Sequence, residues 1–165
     1  MKRVILDTNI YGRIIERKER EIIEKTLDGK TDVIIYGFDV VRKELRKISS
    51  NVRYEGVHVR MALLSLYDNI AKTHIYMTTS LIKKLADEYY DIYRQLGGKE
   101  KREEIINDFL IVACASIHEL DLVVSDDNRT MLNESAIKTY NIVNKLRSYS
   151  TPDFIHYDAF RRSIV

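Results

Sequence analysis

Apolar residues in this chain fall into short blocks separated by charged, helix-spaced stretches, and the two kinds of segment alternate. Val4-Ile5-Leu6 followed by Asp7-Thr8-Asn9 predicts a buried strand over Lys2–Asp7 that runs into a loop. Ile14, Ile15, Ile22 and Ile23 then recur among charges with helical spacing as far as Leu27, where Asp28-Gly29 stops the helix. Asp32–Phe38 reads as a second strand, and Asp39 as the N-cap of a helix reaching about Ile48. A loop over Ser49–Gly56 precedes a helix around Val57–Tyr67, and Ile70–Met77 reads as a third strand. Thr78-Thr79-Ser80 offers caps to a Tyr-rich helix ending at Gly97-Gly98. Glu103–Glu119 is a helix whose centre, Phe109 to Ala115, is apolar all round and therefore buried. Leu122–Ser125 predicts a fourth strand, and Asn133–Arg147 another helix. Thr151-Pro152-Asp153 then opens a last helix, with a cap, a proline in the first turn and an acid beside the dipole. The expected fold class is α/β: one domain over 1–165, with a central parallel sheet of four to five strands and helices on both faces.

Composition narrows the function classes. The single cysteine, Cys114, sits in an apolar run and cannot form an internal bridge, which points to a reducing, cytoplasmic setting. The run Phe109–Ala115 is the longest uncharged apolar stretch, far short of the ~20 residues a membrane span needs. The opening apolar block meets Asp7 too early to form a signal-peptide core. No phosphate-cradling glycine loop and no nucleophile-elbow serine occur. His58, His74, His118 and His156 show no paired metal-ligand spacing.

What remains is acids in unusual places. Asp7 directly follows the first strand, and Asp126 and Asp127 follow the fourth, where ligands of α/β sheets bind. Aspartate is also an ordinary turn residue there, so these positions alone decide nothing. Glu44 adds weight: at ~100° per residue, Val40, Val41, Leu45 and Ile48 fall within roughly 100° of it on the helix wheel, so it lies inside the stripe facing the sheet. Asp108 repeats the anomaly among Ile105, Ile111, Val112 and Ala115. Carboxylates brought together repel unless a cation neutralises them. An oxygen-only set suits Mg²⁺ or Mn²⁺, and phosphodiester chemistry is a common reason to hold such an ion.

These residues also carry a resemblance. Asp7-Thr8-Asn9 after the first strand, Glu44 on the helix after the second, Asp108-x-x-Ile111-x-Ala113-x-Ala115, and Val123-Val124-Ser125-x-Asp127 after the fourth strand make the chain similar to PIN-domain ribonucleases, including VapC-type toxins. The closing Thr151-Pro152-Asp153-Phe154 extends the likeness over nearly the whole chain. The resemblance implies a PIN-like fold and a metal-dependent endoribonuclease that hydrolyses RNA with a metal-activated water. Asp7, Glu44, Asp108 and Asp127 would be the acidic catalytic and metal-binding set, with Thr8, Asn9 and Ser125 orienting it. The Asp126-Asp127 doublet leaves Asp126 as an alternative ligand. Biologically the resemblance implies a toxin with a small antitoxin partner; an RNA-processing nuclease without one, and a silent RNA-binding or scaffold domain, are the rival readings.

Charge agrees with a polyanionic substrate. The net charge is +2, and setting aside the four acids leaves 21 acidic against 27 basic residues. Lys43 and Lys47 fall on the solvent edge beside Glu44 and are the expected RNA contacts. Tyr89, Tyr90 and Tyr93 at helical spacing indicate packing or a homodimer surface.

Overall fold

A computed structural model describes residues 1–165. Its centre is a five-stranded, wholly parallel sheet. In chain order the strands are β1 (Lys2–Leu6), β2 (Val33–Phe38), β5 (Ile75–Tyr76), β6 (Leu122–Val124) and β7 (Asp153–Ile155), arranged spatially as β5-β2-β1-β6-β7. Val4, Ile5 and Leu6 are all buried, as are Leu122, Val123 and Val124, so consecutive side chains of the two central strands are covered on both faces. The expected α/β class holds. Forty buried side chains form one continuous cluster, and no helix is long and apolar enough to cross a membrane.

Eight helices flank the sheet. α1 (Thr8–Glu16), α2 (Arg20–Gly29), α3 (Asp39–Arg46) and α4 (Val59–Ala71) pack together, with α3 and α4 against β2. α5 (Ser80–Gln95), α6 (Arg102–Ile117) and α7 (Glu134–Arg147) form the second group, and α8 (Tyr157–Ile164) closes the chain. The α3–α6 contact joins the two groups. Tyr89, Tyr93 and Tyr140 meet Phe109 edge-on at centroid distances of 5.3–6.0 Å among their pairs, so Tyr89 and Tyr93 are core; Tyr90 alone of the three stays half-buried.

Several elements differ from the sequence expectation. Thr8 and Asn9 are the first turn of α1 rather than a loop, because the Asp7 carboxylate caps that helix by accepting the Thr8 N–H. The expected helix through Leu27 breaks at Lys18, whose φ of 57° ends one helix before Arg20 starts the next. Asp39 does not cap α3: Phe38 stands at the cap, and the Asp39 carboxylate instead accepts the Thr78 N–H (2.9 Å) and hydroxyl (2.6 Å). α4 continues to Ala71, since Leu63, Leu66, Tyr67 and Ile70 extend one buried stripe, and this shortens the third sequence-expected strand to Ile75–Tyr76. Gly37 makes that packing possible, because a Cβ there would lie 2.4 Å from the Tyr67 hydroxyl.

Asp153 opens not a helix but β7, whose Ile155 pairs with Val124 in register, and the helix follows at Tyr157. The stretch read as a loop over Ser49–Gly56 contains half of a hairpin, β3 (Arg53–Tyr54) and β4 (Val57–His58). Glu55 (φ 50°) and Gly56 (φ 82°) form its two-residue turn, both with positive φ, as a tight hairpin with the right twist requires.

Candidate active site

β1 lies between β2 and β6, so the chain leaves its carboxyl end at the point where strand order reverses, the place where ligands of such sheets commonly bind. Asp7 occupies that position and is buried, 4% exposed. A ring of donors holds it: the Thr8 N–H (2.7 Å), the Asn9 amide (2.7 Å) and the Ser125 hydroxyl (2.6 Å) at the end of β6. Thr8, Asn9 and Ser125 therefore touch the acid set as the sequence suggests. The Thr8 hydroxyl donates to Glu44 Oε1 at 3.0 Å instead, tying α1 to α3.

Glu44 is half-buried on α3, and Asn107 of α6 lies near enough to favour its ionised form. Asp108, the next residue of α6, has a buried Oδ2 with no hydrogen-bond partner. Asp127 accepts the N–H groups of Arg129 (3.0 Å) and Thr130 (2.9 Å) and the Thr130 hydroxyl (2.6 Å), which fixes the turn after β6. Burial, above all, pushes the Asp108 carboxyl up to about 8; the charges on Asp7, Asp127 and Glu44 push the same way, and the Thr130 hydroxyl works against them. Burial likewise raises Asp7 to about 6, against the Ser125 and Thr8 bonds that favour its ionised form, with Glu44 and Asp127 adding repulsion. Glu44 is raised by burial, offset by Thr8, Lys47 and Asn107. The four acids thus share one electrostatic environment.

The doublet separates. Asp126 turns towards the chain's end, where its carboxylate accepts from Arg13 Nε (3.2 Å) and the Tyr157 N–H (2.9 Å), with His156 Nδ1 3.6 Å away. Only its backbone N–H faces the site, donating to Asn9 Oδ1 at 3.2 Å. Lys43 and Lys47 also separate: Lys43 Nζ pairs with Asp39 at 3.1 Å, whereas the charge of Lys47 acts on Glu44. Asn107 and Thr130 escaped the sequence reading. Thr130, three residues beyond Asp127, had a usable turn-capping signal; Asn107 had none beyond its place beside Asp108.

No three His, Cys, Asp or Glu side chains are arranged to hold one ion between them. The donors nonetheless fit a hard cation of the Mg²⁺ kind, which takes one or two carboxylates and completes its shell with water. The unpartnered Asp108 oxygen, beside the charge of Asp7, is the atom such a cation would satisfy.

Comparison with solved structures places the fold. VapBC2 from Rickettsia felis, solved bound to a DNA fragment from its promoter, superposes with a TM-score of 0.58 over 94% of this chain and 98% of that one, at 14% identity. FitAB, solved bound to the IR36 DNA fragment, gives 0.53 over 93% and 94%, at 15% identity. The fold is PIN-like. No protein-family model matches the chain, and no curated protein does.

Proposed function

We propose that this protein is a metal-dependent endoribonuclease that hydrolyses RNA phosphodiester bonds, using Mg²⁺ or Mn²⁺ held by Asp7 and Asp108 with Glu44 and Asp127 beside them. The observation that carries the reading is the Asp108 Oδ2, buried with no hydrogen-bond partner while the charges of Asp7, Asp127 and Glu44 act on its carboxyl. Carboxylates gathered around the buried Asp7 raise one another's pKa, and positive charge brought among them relieves that repulsion.

Each residue has a distinct task. Ser125, Asn9 and the Thr8 N–H fix Asp7 in one orientation, and the Thr8 hydroxyl does the same for Glu44. Asp108, raised to about 8, would hold a proton near neutral pH and would give it up to water when a bound cation makes it an anionic ligand. Bound Mg²⁺ or Mn²⁺ supplies Lewis acidity toward a phosphate oxygen and a lowered pKa for an attacking water. Lys47 on the rim offsets the negative charge that an approaching phosphate would meet.

The toxin of a toxin–antitoxin pair is the biological role we favour, in the cytoplasm and with a small antitoxin partner. Its support is that both structural neighbours are toxin–antitoxin complexes. Labelled single-stranded RNA, incubated with purified protein and Mg²⁺, Mn²⁺ or a chelator, tests the chemistry. Cleavage should need the metal, and Asp7→Asn should abolish it while leaving the circular dichroism spectrum unchanged. Full activity in Asp7→Asn, or in chelator, would sink the assignment.

A further inference from the structure

The hairpin β3–β4 stands against α1 and the start of α4, outside the acid site, and makes a hollow there. That hollow has a volume of about 490 Å³ and is floored by Ile15, Val59 and Leu63. Asn9 lines it too, the same residue whose amide donates to Asp7, so one side chain links the hollow to the acid set. Its outer wall is Tyr54, 44% exposed, with Arg53 next to it. A second hollow of about 290 Å³ shares Ile15, Tyr54 and Val59, so Tyr54 stands in the wall between the two.

The wall is held in place. The Val59 N–H donates to the Val52 carbonyl (3.1 Å), His58 Nδ1 meets the Ser50 carbonyl (3.0 Å), and Lys18 pairs with Glu55 at 3.0 Å to clip the hairpin tip to the end of α1. Arg53 is exposed and no carboxylate engages it, whereas Arg13 across the hollow is shared between Asp126 and Glu16. An apolar floor, one exposed aromatic face and a free guanidinium at the lip, all next to a phosphodiester-cleaving centre, suit one kind of occupant. That occupant has a flat apolar face and an anionic tether.

We propose that the hollow between α1 and the hairpin receives an unpaired base of the RNA next to the scissile phosphate, stacked on Tyr54, with Arg53 contacting the adjoining phosphate. The inference rests on the nuclease reading and deepens it: the substrate is single-stranded at that nucleotide. Unstacked bases are commonly taken up on aromatic side chains, each stack being worth ~1–3 kcal/mol, or roughly 5- to 150-fold in affinity. A base held there would also fix the register of the strand, so that only one phosphate reaches the acids.

The test uses single-stranded oligonucleotides carrying one 2-aminopurine or one abasic nucleotide, scanned along the strand. Binding is measured on Asp7→Asn protein and cleavage on wild type. In Asp7→Asn protein, 2-aminopurine fluorescence should be quenched at one position relative to the cleavage site, and Tyr54→Ala should remove the quench and weaken binding by about 10-fold. Tyr54→Phe should preserve both. In wild type, an abasic nucleotide at that position should lower kcat/KM by a similar factor and blur the cleavage position. If RNA is bound and cleaved but Tyr54→Ala and the abasic scan leave affinity, rate and cleavage position unchanged, the base pocket is wrong and the nuclease reading stands. A hollow that serves a partner protein's segment gives that same result. Wild-type protein that neither binds nor cleaves any of the strands overturns both.

Discussion

Asp108→Asn is the sharpest probe of the acid cluster, because it should stabilise the protein in chelator while removing one of the proposed ligands. The Asp108 carboxyl is pushed up to about 8 in the folded chain from an ordinary 3.8. The folded state therefore holds a proton that the unfolded state has lost, across the whole window between those values. Stability falls as pH rises through that window, by at most about 1.4 kcal/mol per pH unit, and levels off above about pH 8. From pH 5 to pH 7 the wild type should lose up to about 2.7 kcal/mol through this group, and Asp7, raised to about 6, adds a loss of the same sign below pH 6. Asparagine does not titrate. Its new N–H is buried near an atom that already lacks a partner, which costs about 1–3 kcal/mol. The net gain should be about 2 kcal/mol at pH 7 and near zero or negative at pH 5. Urea unfolding in chelator at pH 5, 6, 7 and 8 reads this directly. Stability lines that run parallel for the two proteins would mean that Asp108 is solvated, and would refute the cluster.

The division of the doublet gives a second expectation. Asp127→Asn should cut cleavage at least 100-fold, whereas Asp126→Ala should leave the rate near wild type and cost about 1–2 kcal/mol in a thermal melt by uncapping α8 and freeing Arg13. The reverse order of damage would reassign the site. Lys47→Ala in an Asp7→Asn background should flatten the slope of log affinity against log salt by roughly 0.7, one single-strand phosphate contact, and Lys43→Ala by less because Asp39 already holds it. Equal effects of the two lysines would show that the Asp39 pair opens in the complex.

The legible parts of the chain were those governed by local pattern. Buried strands announced themselves as Val4-Ile5-Leu6 and Leu122-Val123-Val124, and α6 as a run apolar on every side. Glu44 and Asp108 were readable because a helix wheel sets an acid against its apolar neighbours without needing the rest of the fold. Errors gathered where a tertiary partner decides the outcome. Asp39 has the residue type of a cap, but Thr78, 39 positions away, takes its carboxylate. Thr151-Pro152-Asp153 looks like a helix start until β6 offers Phe154 and Ile155 a strand to pair with. Asp126 and Asp127 are adjacent and chemically alike; only the position of the Tyr157 N–H and of Thr130 sends one outward and the other to the site.

The threading of the sheet bears on when the acid cluster can assemble. Asp7 follows β1, yet the hydroxyl that fixes it belongs to Ser125, 118 positions later, just past β6 and tied to β7 through the Ser125 N–H and the Ile155 carbonyl. Closing so long a loop is the slow step of such a topology and cannot precede synthesis of the segment that closes it. A nascent chain therefore carries Asp7 and Glu44 unassembled until the segment from Leu122 to Ile155 has been made. The strand order acts as a timer, because the acids cannot take their places before β6 and β7 exist to close the sheet beneath them.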